Sequence, residues 1–120
     1  MKVTPSSFDA VFDGKVNFVA RAILDLNRAN VPKVRHLMLN RAIHGEDGLD
    51  EYDAVPMVLH TDDGHARRFA LWRHAHNPEG QVAIQLPLEE EFQDTLMGIF
   101  QVMRIPAAAI VWLDAPVASG

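Results

Sequence analysis

Two pairs of histidines are the candidates in this chain for a metal site or for acid–base catalysis. His74 and His76 stand two residues apart, a spacing that places both imidazoles on one face of a strand. Two imidazoles are only part of a metal site, so a metal would need a further ligand, for which Asn77 or Glu79 lies nearby in the sequence. The alternative is a polar loop that follows a strand, and nothing in the sequence requires the metal.

A second histidine pair, His60 and His65, flanks a predicted hairpin turn. The hairpin would bring the two imidazoles together beside Asp62 and Asp63, and such a group could bind a metal or act as an acid and a base. The preferred interpretation is structural, because Asp-Asp-Gly is what a tight turn requires. A straight hairpin places this turn at the opposite end from the first pair, so we do not expect the two pairs to form one site.

Basic residues concentrate in the first third of the chain. Residues 15–41 contain six basic side chains and one acid, and the sequence predicts that they lie on two helices separated by a proline-containing break at 30–32. This arrangement superficially resembles a helix-turn-helix, although the break lacks the usual glycine. The net charge of −5 favours a solvated surface over a nucleic-acid interface. The candidate partner-binding residues are Arg21, Arg28, Lys33, Arg35 and Arg41, with Lys15 before them.

An acidic segment follows, with five acids and no base in residues 46–53. An EF-hand spacing fails, because Gly48 as the invariant glycine would put Ile43 and Gly45 at ligand positions. The sequence therefore predicts a mobile acidic loop over 44–53, which could also lie against the basic helices.

Several classes of site are missing from the sequence. The chain has no cysteine, which excludes disulfides, thiol nucleophiles and cysteine-ligated metals. It has no Gly-rich phosphate loop, no Gly-x-Ser-x-Gly and no His-Glu-x-x-His, and we expect no cofactor. No apolar run approaches the roughly 20 residues that span a bilayer, and the first residues lack a signal-peptide core. We therefore expect a cytoplasmic protein with no membrane segment.

The elements that must position these side chains are clearest in the last third of the chain. Gln81–Leu86 alternates between polar and apolar residues, as does a strand with one buried face. An amphipathic helix is predicted over Leu88–Met103, with Gly98 in its interior, where the close approach of another element would explain the glycine. Ala107–Leu113 is apolar on both faces and predicts an interior strand, parallel to the first and joined to it by a right-handed crossover.

The earlier elements follow from weaker patterns. Ser6 or Ser7 caps a short helical turn, and Asp13 is the predicted N-cap of a helix over 14–29. A second helix is predicted over 33–43, with a short strand at 36–40 as the alternative.

The resulting fold is a single α+β domain over residues 1–120. It has two N-terminal helices, then a three-strand antiparallel meander formed by 54–60, 65–73 and 81–86. A helix and a final central strand complete a mixed four-stranded sheet.

Trp72 and Trp112 both fall on predicted strands, where core packing is the first interpretation and a ligand pocket or an interface is the second. Met97 lies off the apolar face of its helix and would suit a homodimer contact. The first functional hypothesis is a small non-catalytic binding module for a protein partner or a small ligand, with a homodimer as one form of it. The alternatives are a metal-dependent enzyme that uses the histidine pairs and a nucleic-acid-binding protein that uses the basic helices of 15–41.

Overall fold

The computed structural model describes residues 1–12, 17–46, 48, 50–88 and 91–114. These residues form one sheet of seven strands, in which every neighbouring pair is antiparallel. The strands are β1 Lys2–Pro5, β2 Phe18–Asp25, β3 Ile43–Glu46, β4 Glu51–His60, β5 Ala66–His74, β6 Gln81–Pro87 and β7 Ile110–Leu113. The helices are α1 Phe8–Val11, α2 Pro32–Asn40 and α3 Gln93–Val102, and a 3₁₀ turn, Ala107–Ala109, precedes β7. No helix within the described ranges is long and apolar enough to cross a membrane.

The strand order is β1-β4-β5-β6-β2-β7, and β3 also pairs with β4. β1 pairs with residues 57–60 of β4 and β3 pairs with residues 51–54. Because β5 occupies the other edge of β4, the two short strands lie end to end along one edge. The opposite edge of the sheet is β7, which pairs with β2.

The predicted mixed four-stranded sheet with two N-terminal helices is wrong. Residues 18–25, assigned by their sequence to the first helix, form β2, which pairs with β6 on one side and β7 on the other. The spacing of Val19 and Ile23 wrongly indicated a helix. Ala22 and Leu24 follow the period of a strand equally well, and both are fully buried. Backbone pairing on both sides outweighs the helix propensity of alanine and leucine.

The final strand also differs from its prediction, because β7 lies at the edge of the sheet and not at its centre. β6 and β7 are both antiparallel to β2, so they point in the same direction, with β2 between them. The strands expected at 54–60, 65–73 and 81–86 are present as β4, β5 and β6, but they are the interior of a larger antiparallel sheet.

The expected acidic loop over 44–53 is also wrong for most of its length. Residues 43–46 and 51–54 pair as β3 and β4, so Glu46, Glu51 and Asp53 lie on strands. β1 was not expected at all. Both short strands depend on pairing with β4, and four residues carry too little periodicity to reveal that pairing.

Some local predictions are confirmed. The Oγ of Ser7 accepts a hydrogen bond from the backbone N–H of Ala10 at 3.1 Å and caps α1. The second predicted helix is present as α2, so the alternative strand at 36–40 is not. A Cβ atom at Gly98 would lie 3.2 Å from the Leu59 side chain, which is the close approach that this glycine suggested. The predicted cap Asp13 and residues 89–90 of the helix predicted over Leu88–Met103 lie outside the described residues, and that helix begins at Gln93 in the structure.

The core lies between one face of the sheet and the helices α2 and α3. The opposite face, called here the open face, is covered at one end by α1. There the fully buried Val11 accepts a hydrogen bond through its carbonyl from Arg68 Nη1 at 3.1 Å. The core includes Ala22 and Leu24 of β2, Val55, Met57 and Leu59 of β4, Phe69 and Leu71 of β5, Val82, Ile84 and Leu86 of β6, Val34 of α2, and Leu96, Ile99 and Phe100 of α3, with Met103 after it.

Candidate functional site

The two tryptophans lie in one row across the open face. Trp112 pairs with Ile23, Ile23 pairs with Ala83, and Ala83 pairs with Trp72. Directly opposed residues of antiparallel strands point to the same face, so the four side chains form a continuous row. Three strand spacings, or about 14 Å, separate the two tryptophan backbones.

Trp72 is held inside an aromatic cluster at one end of this row. Its ring stacks on Tyr52, with centroids 4.2 Å apart, and meets Phe12 edge-on at 5.7 Å. Its indole Nε1–H donates to Nε2 of His74 at 3.3 Å. These contacts give Trp72 the structural role of fixing the chain after α1 against the sheet, which is the packing role expected first.

Trp112 stands at the other end, on the edge strand β7, and is 44% exposed. Its neighbour Leu113 is 45% exposed and opposes the buried Ala22, so exposed apolar area lies on both faces of this edge. Among the described residues only β2 pairs with β7. The end of β7 is fixed by Asp114, whose Oδ2 lies 2.6 Å from Nη1 of Arg21.

The two edges of the sheet differ in chemistry. β1 carries Lys2 and Pro5, and β3 carries His44 and Glu46, which are residue types that discourage an edge strand from pairing with another chain. β7 reads Ile-Val-Trp-Leu and has no charge and no proline. The edge formed by β7 is therefore the candidate functional surface.

The structure places His60 and His65 in separate hydrogen-bonding environments. Nε2 of His60 lies 2.8 Å from Oγ1 of Thr4 on β1. His65 follows the turn, where its imidazole is 3.9 Å from Asp63. The hydroxyl of Thr61 and the backbone N–H of His65 both donate to Asp63 and lower the pKa of its carboxyl. This network organises the turn, as the preferred interpretation expected.

His74 and His76 are likewise engaged by different partners. His74 accepts the hydrogen bond from Trp72, whereas Nδ1 of His76 lies 2.6 Å from Oδ1 of Asp50. A cavity of about 370 Å³ is lined in part by His74 and Glu79 but not by His76. Across the described ranges, no group of three or more histidine and acidic side chains is arranged to hold a metal ion. The metal sites therefore stay hypotheses that lack a third ligand in those ranges.

His44 forms an acid–base pair that the sequence did not indicate. Its Nδ1 lies 2.9 Å from Oδ1 of Asp53, directly across the β3–β4 ladder. The hydrogen bond to Asp53, reinforced by the charges of Asp53, Glu51 and Glu46, raises the pKa of His44 above its usual 6.5. Asp53 is shared with Arg73, whose Nη2 is 3.3 Å away. The group is open to solvent and ties together three strands.

The basic residues do not lie on a helix-turn-helix, because the first predicted helix is β2. Arg21 is 12% exposed in its side chain, and its guanidinium lies 3.9 Å from the ring centroid of Phe92 while it pairs with Asp114. Arg28 follows β2 in a turn, 3.9 Å from Asp25. Lys15 lies outside the described residues. These two arginines therefore make contacts within their own chain.

The remaining basic candidates belong to α2 or its end. Nη2 of Arg35 donates to the backbone carbonyl of Leu26 at 2.9 Å, and Nζ of Lys33 donates to that of Val102 at 3.0 Å. Arg41 is exposed at the end of α2. Lys33 also lines a groove with Lys2 and Arg104.

No protein-family model, curated protein or solved structure matches this chain. The candidate surface is therefore defined by the geometry of the molecule. Sequence reasoning identified both tryptophans but placed β7 in the interior of the sheet. The apolar run of the sequence begins directly after Pro106, and in the structure only its last four residues are extended.

Proposed function

We propose that this protein is a small non-catalytic binding module that works as a homodimer, joined by antiparallel pairing of the β7 strands of two copies. The observation that carries the proposal is that, among the described residues, no strand pairs with the outer edge of β7, where Trp112 and Leu113 are about half exposed. As in the sequence-based hypothesis, the module is cytoplasmic and works without a cofactor.

A second copy is the occupant that suits this edge best. An antiparallel pair of identical strands related by a two-fold axis is self-complementary, because each strand offers the same backbone donors and acceptors to the other. The side chains also suit this partner, since each copy contributes exposed apolar groups to both faces of the joint through Trp112 and Leu113. The tryptophan rows of the two copies would then face the same side of one continuous sheet.

The expected affinity is moderate. Pairing two four-residue strands adds about four backbone hydrogen bonds, each worth about 1 kcal/mol net. Burial of the exposed parts of Trp112 and Leu113 adds about 25 cal/mol per Å². After the cost of association, we expect a dissociation constant on the order of micromolar.

The test is the oligomeric state over a wide range of protein concentration, measured by sedimentation equilibrium. Wild type should change from monomer to dimer as concentration rises. Trp112→Lys and Leu113→Lys should each prevent the dimer by adding charge to the edge. Leu39→Lys is the matched control, because Leu39 is 79% exposed on α2, away from the edge.

A second surface is tested by the same measurement. Met97 is 60% exposed on α3 and was the dimer contact suggested by the sequence. If Met97→Lys lost the dimer and Trp112→Lys kept it, the interface would lie on α3 and the proposal would be overturned. A wild-type chain that stays monomeric at every concentration would also overturn it, and an extended peptide from another protein would become the alternative occupant.

A further inference from the structure

A groove between β1 and the ends of α2 and α3 is lined by basic side chains from three separate parts of the chain. Lys2 lies on β1, Lys33 in the first turn of α2, and Arg104 just after α3. All three residues are exposed, and the groove is open to solvent with a volume of about 470 Å³. Gln101 adds a neutral amide to the lining.

Among the described residues, acids do not balance the charge of this lining. Asp62, the acidic residue among the described residues that line the groove, is engaged by the amino group of Met1 at 2.5 Å. Lys33 donates one hydrogen bond to the carbonyl of Val102, but an ammonium group has three donors, so two are left for a ligand. The groove therefore keeps a local surplus of positive charge in a chain whose net charge is −5.

Arg104 adopts a backbone conformation that is costly for its residue type. Its φ is 54°, and no other non-glycine residue in the described part of the chain has a positive φ. The backbone N–H of Arg104 donates to the carbonyl of Gln101 at 3.3 Å, and the backbone N–H of Ile105 donates to the carbonyl of Phe100 at 2.9 Å. These two hydrogen bonds form the Schellman pattern of a helix end. Glycine usually occupies this position because it has no side chain to oppose the left-handed conformation. An arginine at this position therefore points to a use for its side chain.

We propose that this groove binds the phosphate group of a small soluble anion through Lys2, Lys33 and Arg104. Phosphate oxygens accept charge-assisted hydrogen bonds from ammonium and guanidinium groups, which are stronger than hydrogen bonds between neutral partners. Lys33 itself lies in the first turn of α2, near the positive end of a nine-residue helix whose N-cap residue, Val31, provides no side-chain hydrogen bond. The volume falls within the range of small-molecule sites, roughly 300–1,000 Å³.

The net charge of the chain favours a small ligand over a larger polyanion. An anionic membrane surface or a nucleic acid would meet the acidic residues that give the chain its charge of −5, whereas a small anion would meet only the groove. The proposal does not depend on the β7 dimer, because none of the groove residues belongs to that edge.

The first experiment is a titration of the full chain with pyrophosphate at low salt, followed by two-dimensional NMR of the backbone amides. Any affinity tag is placed at the C-terminus, because Met1 lines the groove. We expect saturable shifts centred on Lys2, Lys33 and Arg104. Lys33→Gln and Arg104→Gln should each weaken binding about ten-fold, which is the effect of losing one hydrogen bond to a charged group. Arg41→Gln, which removes an exposed cation at the far end of α2, should bind as wild type does.

A second variant separates the binding role of Arg104 from its effect on folding. Arg104→Gly relieves the left-handed conformation and should raise the unfolding temperature by roughly a few degrees. The same variant should lose pyrophosphate affinity as Arg104→Gln does. A more stable variant that still binds pyrophosphate as wild type does would overturn the proposal, as would shifts of equal size at Arg41 and at the groove.

Two further arms distinguish the source of the phosphate. Flotation with vesicles that contain phosphatidic acid and gel shift with a short DNA duplex are carried out at the same low salt concentration as the pyrophosphate titration. We expect neither to bind. Binding to vesicles or to the duplex without saturable pyrophosphate binding would overturn the small-ligand proposal and assign the groove to that surface.

Discussion

Nδ1 of His76 lies 2.6 Å from Oδ1 of Asp50, and the backbone N–H of His76 donates to Oδ2 of the same carboxylate at 3.1 Å. Asp50 precedes β4 and His76 follows β5, so one carboxylate fixes the chain before one strand to the turn after the next. The side chain of Asp50 is only 13% exposed. This contact gives His76 a structural partner, and substitution of Asp50 therefore tests how the turn after β5 is held.

The first prediction concerns the pH dependence of this contact. Partial burial alone would raise the pKa of Asp50. The hydrogen bonds from the backbone and side chain of His76 and from the N–H of Glu51 outweigh burial and hold the pKa below 3.8. A carboxylate whose pKa is lower in the folded state stabilises the fold at pH values above its unfolded-state pKa. That contribution is lost as pH falls through the folded-state pKa. Asp50→Asn should therefore be less stable than wild type near neutral pH, with a difference that shrinks below pH 3.8.

Urea denaturation at a series of pH values measures this difference. Asp9→Asn, which removes an exposed acid on α1, is the charge-matched control. A gap between wild type and Asp50→Asn that stayed constant through the acid range would show that the carboxylate is not what holds the turn.

The second prediction is the opposite pH dependence at His44. The hydrogen bond to Asp53 and the nearby charges of Asp53, Glu51 and Glu46 raise the pKa of His44 above 6.5. Protonated His44 therefore stabilises the fold below pH 6.5, and this contribution disappears as pH rises through the higher folded-state value. An NMR titration of the imidazole of His44 should give a midpoint above 6.5, and Asp53→Asn should lower that midpoint. A wild-type midpoint at or below 6.5 would contradict the pairing.

The third prediction concerns Gly45, whose lack of a side chain leaves room for the ring of Tyr52 to stack on Trp72. A Cβ atom at this position would lie 2.5 Å from Cζ and from Oη of Tyr52, its cross-strand partner. Gly45→Ala must displace the Tyr52 ring from its stack on Trp72, and we expect a loss of about 1–3 kcal/mol in the free energy of unfolding. Tryptophan fluorescence and urea denaturation report the two effects. In a Tyr52→Ala background the same substitution should cost much less, and an equal cost in both backgrounds would exclude a clash as the cause.

The sequence predicted the correct element where the apolar residues followed a single period. Gln81–Leu86 alternates cleanly and is a strand, and the apolar face of α3 repeats at helical spacing. β2 was missed because its residues satisfy both periods, and the choice between them is made by β6 and β7, which are distant in sequence. β1 and β3 were missed for a related reason, since each exists only as a partner of β4.

The candidate site was predictable only in its residue types. Trp72 and Trp112 were identified, but their common row depends on the registers of three strand pairs, which no local pattern specifies. The groove was missed because Lys2, Lys33 and Arg104 are far apart in the chain. The positive φ of Arg104 was hidden as well, because a basic residue after a helix is already expected from the helix dipole.

The last prediction decides between strand and helix at β2. In the sequence-based helix, Ile23 belongs to the buried apolar face and Leu24 does not. In the structure, Leu24 is fully buried opposite Val82, while Ile23 is half-buried on the open face. Leu24→Ala should therefore cost about 2–5 kcal/mol in the free energy of unfolding, and Ile23→Ala should cost only about 1 kcal/mol. Urea denaturation at low protein concentration, where the proposed dimer is dissociated, compares the two variants directly. If Ile23→Ala cost more than Leu24→Ala, the helix predicted from the sequence would be correct. β2 would then not exist, and β7 would have lost its pairing partner.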